Sequence, residues 1–186
     1  MSGENPIPGG SRIPDRAEAL ALLEHHAPDR RRFQLVLSHS LVVADLALGF
    51  AHRCKDIQLA LLEAGSLLHD IGRFQFPKGQ GRAEHGFVGA ELLRREGYPE
   101  VALIAERHVG AGITAEDVVR QGLALPVADY VPLTPEQRLV AHADNLVFGT
   151  RVVTFEEVLE RFARELGPDY PPRLIVLREE VEKLWK

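Results

Sequence analysis

The sequence predicts an all-α fold, a compact bundle of about seven to nine helices. Three observations lead there. Apolar residues recur three and four positions apart over most of the chain. Two capping boxes, Thr134-Pro135-Glu136-Gln137 and Thr154-Phe155-Glu156-Glu157, mark helix starts. No stretch shows sustained period-two alternation with hairpin signals.

In chain order, residues 16–27 read as a short amphipathic helix opened by Asp15 as N-cap and broken by Pro28. Residues 31–52 carry Phe33, Val36, Val43, Leu46 and Phe50 at helical spacing. Residues 57–70 read as a third helix, ending near Gly72. Residues 73–83 contain one Pro, two Gly and three basic residues, the composition of a loop. Residues 84–96, closed by Gly97, and 99–108 are helical. A short helix spans 114–121, and a loop with two prolines covers 122–133. The first capping box, with Pro135 at the first helical position, opens a helix to about residue 148. The second opens one over 154–166, and 171–185 is the last.

Length and composition bound the rest. A chain of 186 residues with 45% hydrophobic and 26% charged residues reads as a single domain over 15–186. Residues 1–14, rich in Gly, Pro and Ser, read as a flexible tail without the apolar core of a signal peptide. A net charge of −5 argues against duplex nucleic acid as a partner. The single cysteine, Cys54, excludes an intramolecular disulfide and a cysteine-based metal knuckle. A cytoplasmic location fits. No run of about 18 apolar residues is seen, so no membrane partner is expected. The final helix, with Leu174, Leu177, Val181, Leu184 and Trp185, packs either on the core or on a second copy as a homodimer.

Six polar residues sit where apolar ones belong. His39 shares a helix face with Val36, Val43 and Leu46. His69 lies over Leu62 and Gly65, with Asp70 beside it. His85 precedes Val88, Gly89 and Leu92 on its face. His108 follows Val101, Ile104 and Ala105. Asp144 sits among Val140, Ala141, Val147 and Phe148. One histidine on an apolar face is ordinarily a core residue with one hydrogen bond. Four His and two Asp on five inward-facing helices cost several kcal/mol unless they meet. Imidazole and carboxylate together suit Fe, Mn, Co, Ni or Zn. His25 and His26 read as flank residues, His52 as a helix C-terminal residue, and His142 as turned about 200° away from Asp144's neighbours.

His39, then His69-Asp70-Ile71-Gly72, then Asp144 is an order that resembles the HD-domain superfamily of metal-dependent phosphohydrolases, in its HDIG variety. His85 in Glu84-His85-Gly86 and His108 in Glu106-Arg107-His108 are similar to the added histidines of members that bind two metals. The spacing over about residues 31–150 is similar to small bacterial HD-type hydrolases of dinucleoside polyphosphates. It departs after Asp144, where Asn145-Leu146-Val147-Phe148-Gly149 replaces an aromatic residue followed by a Glu-Pro pair. The resemblance implies an HD helical bundle and two divalent transition-metal ions. One takes His39, His69, Asp70 and Asp144. Asp70 bridges to the other, held also by His85 and His108. Such a pair activates a water and clamps a phosphoryl group.

The implied partner is a small anionic substrate: a phosphomonoester, phosphodiester or nucleotide. Asp70 is then both ligand and catalytic residue. Arg73 and Lys78, on the basic segment after it, are candidates for holding phosphate, with Arg107 a further one. Gly79 and Gly81 give that segment the freedom of a lid. Two alternatives of other classes stay open: a di-iron HD-type oxygenase, and a catalytically silent nucleotide-binding sensor.

Overall fold

The structure, a computed structural model, describes residues 12–77 and 79–185. Among these residues the chain forms α1 (Arg16–His26), α2 (Arg30–Ala51), α3 (Leu59–Leu68), α4 (Glu84–Arg95), α5 (Pro99–Arg107), α6 (Ala115–Gln121), α7 (Pro135–Asn145), α8 (Phe155–Leu166) and α9 (Pro171–Glu182). The helical fold class predicted from spacing is the one found. The helix starts follow local chemistry. Asp15, Thr114, Thr134 and Thr154 each close a reciprocal capping box, and Asp29 caps α2 through Arg32 N.

The core forms around α3, where every residue from Leu61 to Leu68 except Glu63 is buried. A helix apolar on nearly all sides belongs in the middle of a bundle. Leu62, Leu67 and Leu68 meet Leu23 of α1, Val43 of α2, Leu93 of α4, Ile104 of α5 and Leu139 of α7 in one cluster. Each such side chain contributes about 1.5–3 kcal/mol by leaving water. A smaller cluster joins Ile113, Val118 and Tyr130, and a third joins Val153, Val158 and Leu174. Leu174, Leu177 and Val181 of α9 are buried and Trp185 packs on the main cluster, so this helix covers the chain's own core.

Several expectations are corrected. The third helix stops at Leu68, not Asp70. His69 is its C-cap, and Asp70 at φ −97°, ψ 8° opens a 3-10 turn over Ile71–Gln75. The segment read as a loop from Arg73 therefore begins inside that turn. α7 ends at Asn145, and a hairpin follows: β1 (Val147–Phe148) pairs antiparallel with β2 (Arg151–Val152). Its two-residue turn has Gly149 at φ 67°, the position where a left-handed residue matches the strand twist. Two-residue strands are too short to show alternation in sequence. Residues 1–11 of the expected tail lie outside the described residues, but Ile13 packs on the core and Pro14 is buried. α2, with 22 residues and an 18-residue stretch of mean hydropathy 1.6, is long and apolar enough to cross a bilayer by length and composition. Here it packs against α3 and α7.

Three glycines allow the close approach on which the site depends. A Cβ on Gly72 would lie 2.0 Å from the His85 carbonyl oxygen, and one on Gly86 would lie 2.7 Å from that of Ala105. One on Gly89 would lie 2.9 Å from Gly72 N. The 3-10 turn and α5 both press on α4 through these positions. Gly72 therefore fills a packing role, not the helix-ending role its place in the sequence suggests.

Candidate metal centre

Each of the four candidate histidines is aimed by a backbone carbonyl. His69 Nδ1 lies 2.7 Å from Ser66 O, His108 Nδ1 2.7 Å from Ala105 O, His85 Nδ1 3.0 Å from Gly81 O, and His39 Nδ1 2.8 Å from Gly149 O. A carbonyl only accepts, so each Nδ1 is the donor. That turns all four Nε2 atoms toward one centre, the tautomer choice by which metal-binding histidines are oriented.

Between them lie the two carboxylates. Asp144 Oδ1 is 2.9 Å from His39 Nε2 and 3.5 Å from His69 Nε2. Asp70 Oδ1 is 3.0 Å from His85 Nε2 and 3.5 Å from His108 Nε2. Its other oxygen, Oδ2, is 3.9 Å from both His39 and His69 Nε2. Asp70 thus turns one oxygen to each half of the cluster. Leaving the helix at His69 is what gives it that reach.

These residues fit a metal. His85 and His108 Nε2 are 3.0 Å apart. With both Nδ1 atoms donating elsewhere, two lone pairs face each other, a contact made favourable only by a proton or a cation between them. His69 Nε2 and Asp70 Oδ1 are fully buried without a hydrogen-bond partner, where an unsatisfied group costs about 1–3 kcal/mol. His39, His69 and Asp144 form one group able to hold an ion, and His69, Asp70 and His108 another.

The electrostatics favour anionic carboxylates and act on His39 and His108 in opposite directions. Burial alone pushes the Asp70 carboxyl up, but Arg73, His69, His108 and His85 together hold it well below the usual range. Asp144 is held down likewise by His39 and His69 against its own burial. Burial, joined by His69 and His85, outweighs Asp70 and lowers His108 to about 4. His39 is opposed by burial, yet the Asp144 hydrogen bond and charge raise it to about 9.

The centre opens into a cleft of about 540 Å³, within the usual range for small-molecule sites. Arg73 stands at its edge, its Nε donating to Asp70 Oδ2 at 2.5 Å. The turn that carries it is fastened to α2 by Arg32, whose Nη2 donates to Phe76 O at 2.6 Å. Lys78 lies outside the described residues. Arg107 does not line the cleft and pairs with Glu106 at 3.7 Å. His142 is buried against Phe50 and Phe155, away from the centre, and burial lowers it to about 4. Sequence reasoning missed the far wall: Asn145, which donates to Gly110 O at 2.9 Å and braces the segment after His108, and Arg161, Phe162, Glu165 and Tyr170. It also missed the orienting carbonyl of Gly149. The adjacent Gly149-Thr150 pair was the available signal for a tight turn.

Fold and site together define a helical protein with a six-residue His/Asp cluster able to hold divalent metal. The HD-domain family matches residues 36–149, a span containing all six positions, and the chain belongs to that family. It is 45% identical to the uncharacterized protein MJ0778 of Methanocaldococcus jannaschii, over 81% of this chain and 90% of that protein. It is 36% identical to a tRNA (cytidine(56)-2'-O)-methyltransferase of Picrophilus torridus, over 92% of this chain. A protein of the same name from Thermoplasma volcanium is 38% identical over 90% of this chain. The chain spans only about half of these two relatives, 48% and 46% of their lengths. In fold it is similar to the HD domain of the L. monocytogenes phosphodiesterase PgpH (TM-score 0.52, 20% identity, 88% of this chain and 94% of that one). That domain in complex with cyclic-di-AMP also has a TM-score of 0.52. The narrower likeness to bacterial dinucleoside polyphosphate hydrolases rests on the motifs alone.

Proposed function

We propose that this chain is a metal-dependent phosphohydrolase, cleaving a phosphomonoester, phosphodiester or nucleotide at the His/Asp centre. The observation that carries the reading is the convergence of four Nε2 atoms on two carboxylates, Asp70 buried and Asp144 partly so, all four aimed by carbonyls on Nδ1. Divalent cations bound there would supply an activated water and neutralise phosphoryl oxygens. His39, His69 and Asp144 would hold one ion and His85 and His108 another, with Asp70 shared. Asp70's two oxygens facing opposite halves favour two ions over one.

The chain's own residues do the rest. The orienting carbonyls hold a proton on Nδ1, so each imidazole in its neutral form offers its Nε2 lone pair, and two divalent ions against only two carboxylates would leave the loaded site cationic toward an anionic ester. Arg73, partly exposed beside Asp70, is placed to hold a phosphoryl oxygen through the nitrogens it does not share with Asp70. Lys78 remains a candidate from the sequence. Membership of the HD family supports a hydrolase, and PgpH is a phosphodiesterase crystallised with cyclic-di-AMP, a phosphodiester. At its low identity that likeness speaks for the fold.

The test is a panel of nucleotides and phosphoesters with Mn²⁺, Co²⁺ or Fe²⁺, wild type against Asp70→Ala. Phosphate release that Asp70→Ala abolishes is expected. Equal activity in the variant, or no turnover of any substrate, ends the proposal. O₂ consumption with bound iron would instead favour the oxygenase. Elemental analysis of His85→Ala reads the ion count: about one ion fewer per chain than wild type is expected, and an unchanged content sinks the two-ion arrangement.

A further inference from the structure

One group of cleft residues has no part in the centre. Glu165 of α8 accepts from two arginines: Arg161 Nε at 3.1 Å to Oε1, and Arg82 Nη2 at 3.3 Å to Oε2. All three line the cleft. Arg82 follows Gly81, whose carbonyl aims His85. Arg161 has its Cζ 4.5 Å from the ring centroid of Phe148. Phe148 precedes Gly149, whose carbonyl aims His39. The Arg–Glu–Arg strap therefore connects the His39 side of the cluster to the His85 side.

Resting on the phosphohydrolase reading, we infer that Arg82 and Arg161 form a subsite for a second, uncleaved phosphate on the substrate. Two guanidinium groups and one carboxylate leave the strap with a net positive charge. Each guanidinium carries five N–H donors, and Glu165 engages only one nitrogen of each. Arg161 is held over the Phe148 ring, and a guanidinium fork is a geometry that phosphate oxygens accept bidentately. Arg82 is 67% exposed, and an exposed ion pair contributes little, so Glu165 yields to a stronger anion. The cleft is larger than a single phosphoryl group fills. α8, which carries Arg161 and Glu165, lies beyond residues 36–149, the span matched by the family, so that half of the subsite is an addition to the shared centre that selects among phosphate compounds.

The test uses the full chain loaded with Mn²⁺ and phosphonates, whose C–P bonds resist hydrolysis. Calorimetry compares propylphosphonate with α,ω-alkane bisphosphonates of increasing spacer length. At one spacer length the bisphosphonate is expected to bind about tenfold tighter or more, well above the statistical factor of about two for two equivalent ends. Arg161→Met brings the ratio down toward that factor. Glu165→Gln, which preserves side-chain shape and frees both arginines, raises it, and carries the test should Arg161→Met fail to fold. A ratio near the statistical factor at every length, or one untouched by either substitution, overturns the subsite while monophosphonate binding leaves the phosphohydrolase reading standing. If neither ligand binds, both readings fall.

Discussion

Gly72→Ala gives the sharpest test of how the site is assembled. Gly72 does not have positive φ, so its backbone accepts any residue and only space is at issue. Its added Cβ would stand 2.0 Å from His85 O, 2.5 Å from Gly89 N and 2.9 Å from Gly89 Cα, all backbone of α4. Ordinary contact begins at 3.4 Å, so the turn must withdraw by 3.4 − 2.0 = 1.4 Å or α4 must move as far. Backbone cannot yield as a side-chain tip does, which puts the cost at the upper end of overpacking, about 3 kcal/mol. For a chain of this size that is a fall in Tm of about 6–12 °C. The same withdrawal carries Asp70 Oδ1 away from His85 Nε2, now 3.0 Å distant, beyond the reach of a shared ion. Thermal melts and elemental analysis on one preparation read both effects. A variant with wild-type Tm and wild-type metal content would refute the claim that this glycine sets the distance between Asp70 and α4.

The remaining predictions are simpler. Gly49→Ala, in α2 with nothing within 4 Å of the added Cβ, should stabilise by about 0.5–1 kcal/mol; a destabilised variant would mean that α2 is not a regular helix there. Gly149→Ala also meets no atom, but φ of 67° strains an L residue by about 1–2 kcal/mol and shifts the carbonyl that aims His39. Titration with Co²⁺ should show weakened binding, and unchanged affinity would detach the turn from the centre. Asp117 accepts from Arg173 Nη1 at 2.6 Å and Arg120 Nη2 at 2.5 Å. Burial pushes its carboxyl up, while Thr114 and Arg173 outweigh that and hold it below its ordinary value. With a lowered folded pKa, its stabilisation is fully present above about pH 4 and is lost as pH falls through the folded value. Asp117→Asn should therefore cost about 2 kcal/mol at pH 7 and progressively less below pH 4 in urea melts. An equal deficit at both pH values would contradict the ionic account.

Residue pattern made the helices and the six polar positions legible because both are local. A His or Asp at helical spacing among apolar neighbours marks an inward-facing polar group whatever the rest of the chain does, and the structure brings His39, His69, Asp70, His85, His108 and Asp144 together. What stayed hidden depends on contacts distant in sequence or on backbone direction. Nothing local to Gly149 says that its carbonyl meets His39, 110 positions away. Gly72, Gly86 and Gly89 look like ordinary small residues until the opposing backbones are in place. The Arg82–Glu165 pair joins segments 83 positions apart. The end of α3 was misjudged because the apolar run continues smoothly into His69, while the turn at Asp70 is imposed by packing against α4.

The hydrogen bonds of His69 and His108 have one more implication. Each residue is the C-cap of its helix, and each ring donates to the carbonyl three positions back, Ser66 or Ala105. Carbonyls in a last turn lack helical donors, so one N–H both completes a helix end and selects the tautomer. Two folding elements terminate in the act of presenting their candidate ligands. Alanine at His69 or His108 would therefore fray a helix as well as remove a donor, whereas at His39, in the interior of α2, the two losses separate. Stability and ion affinity in a histidine scan should then fall along two different lines, sorted by where helices stop.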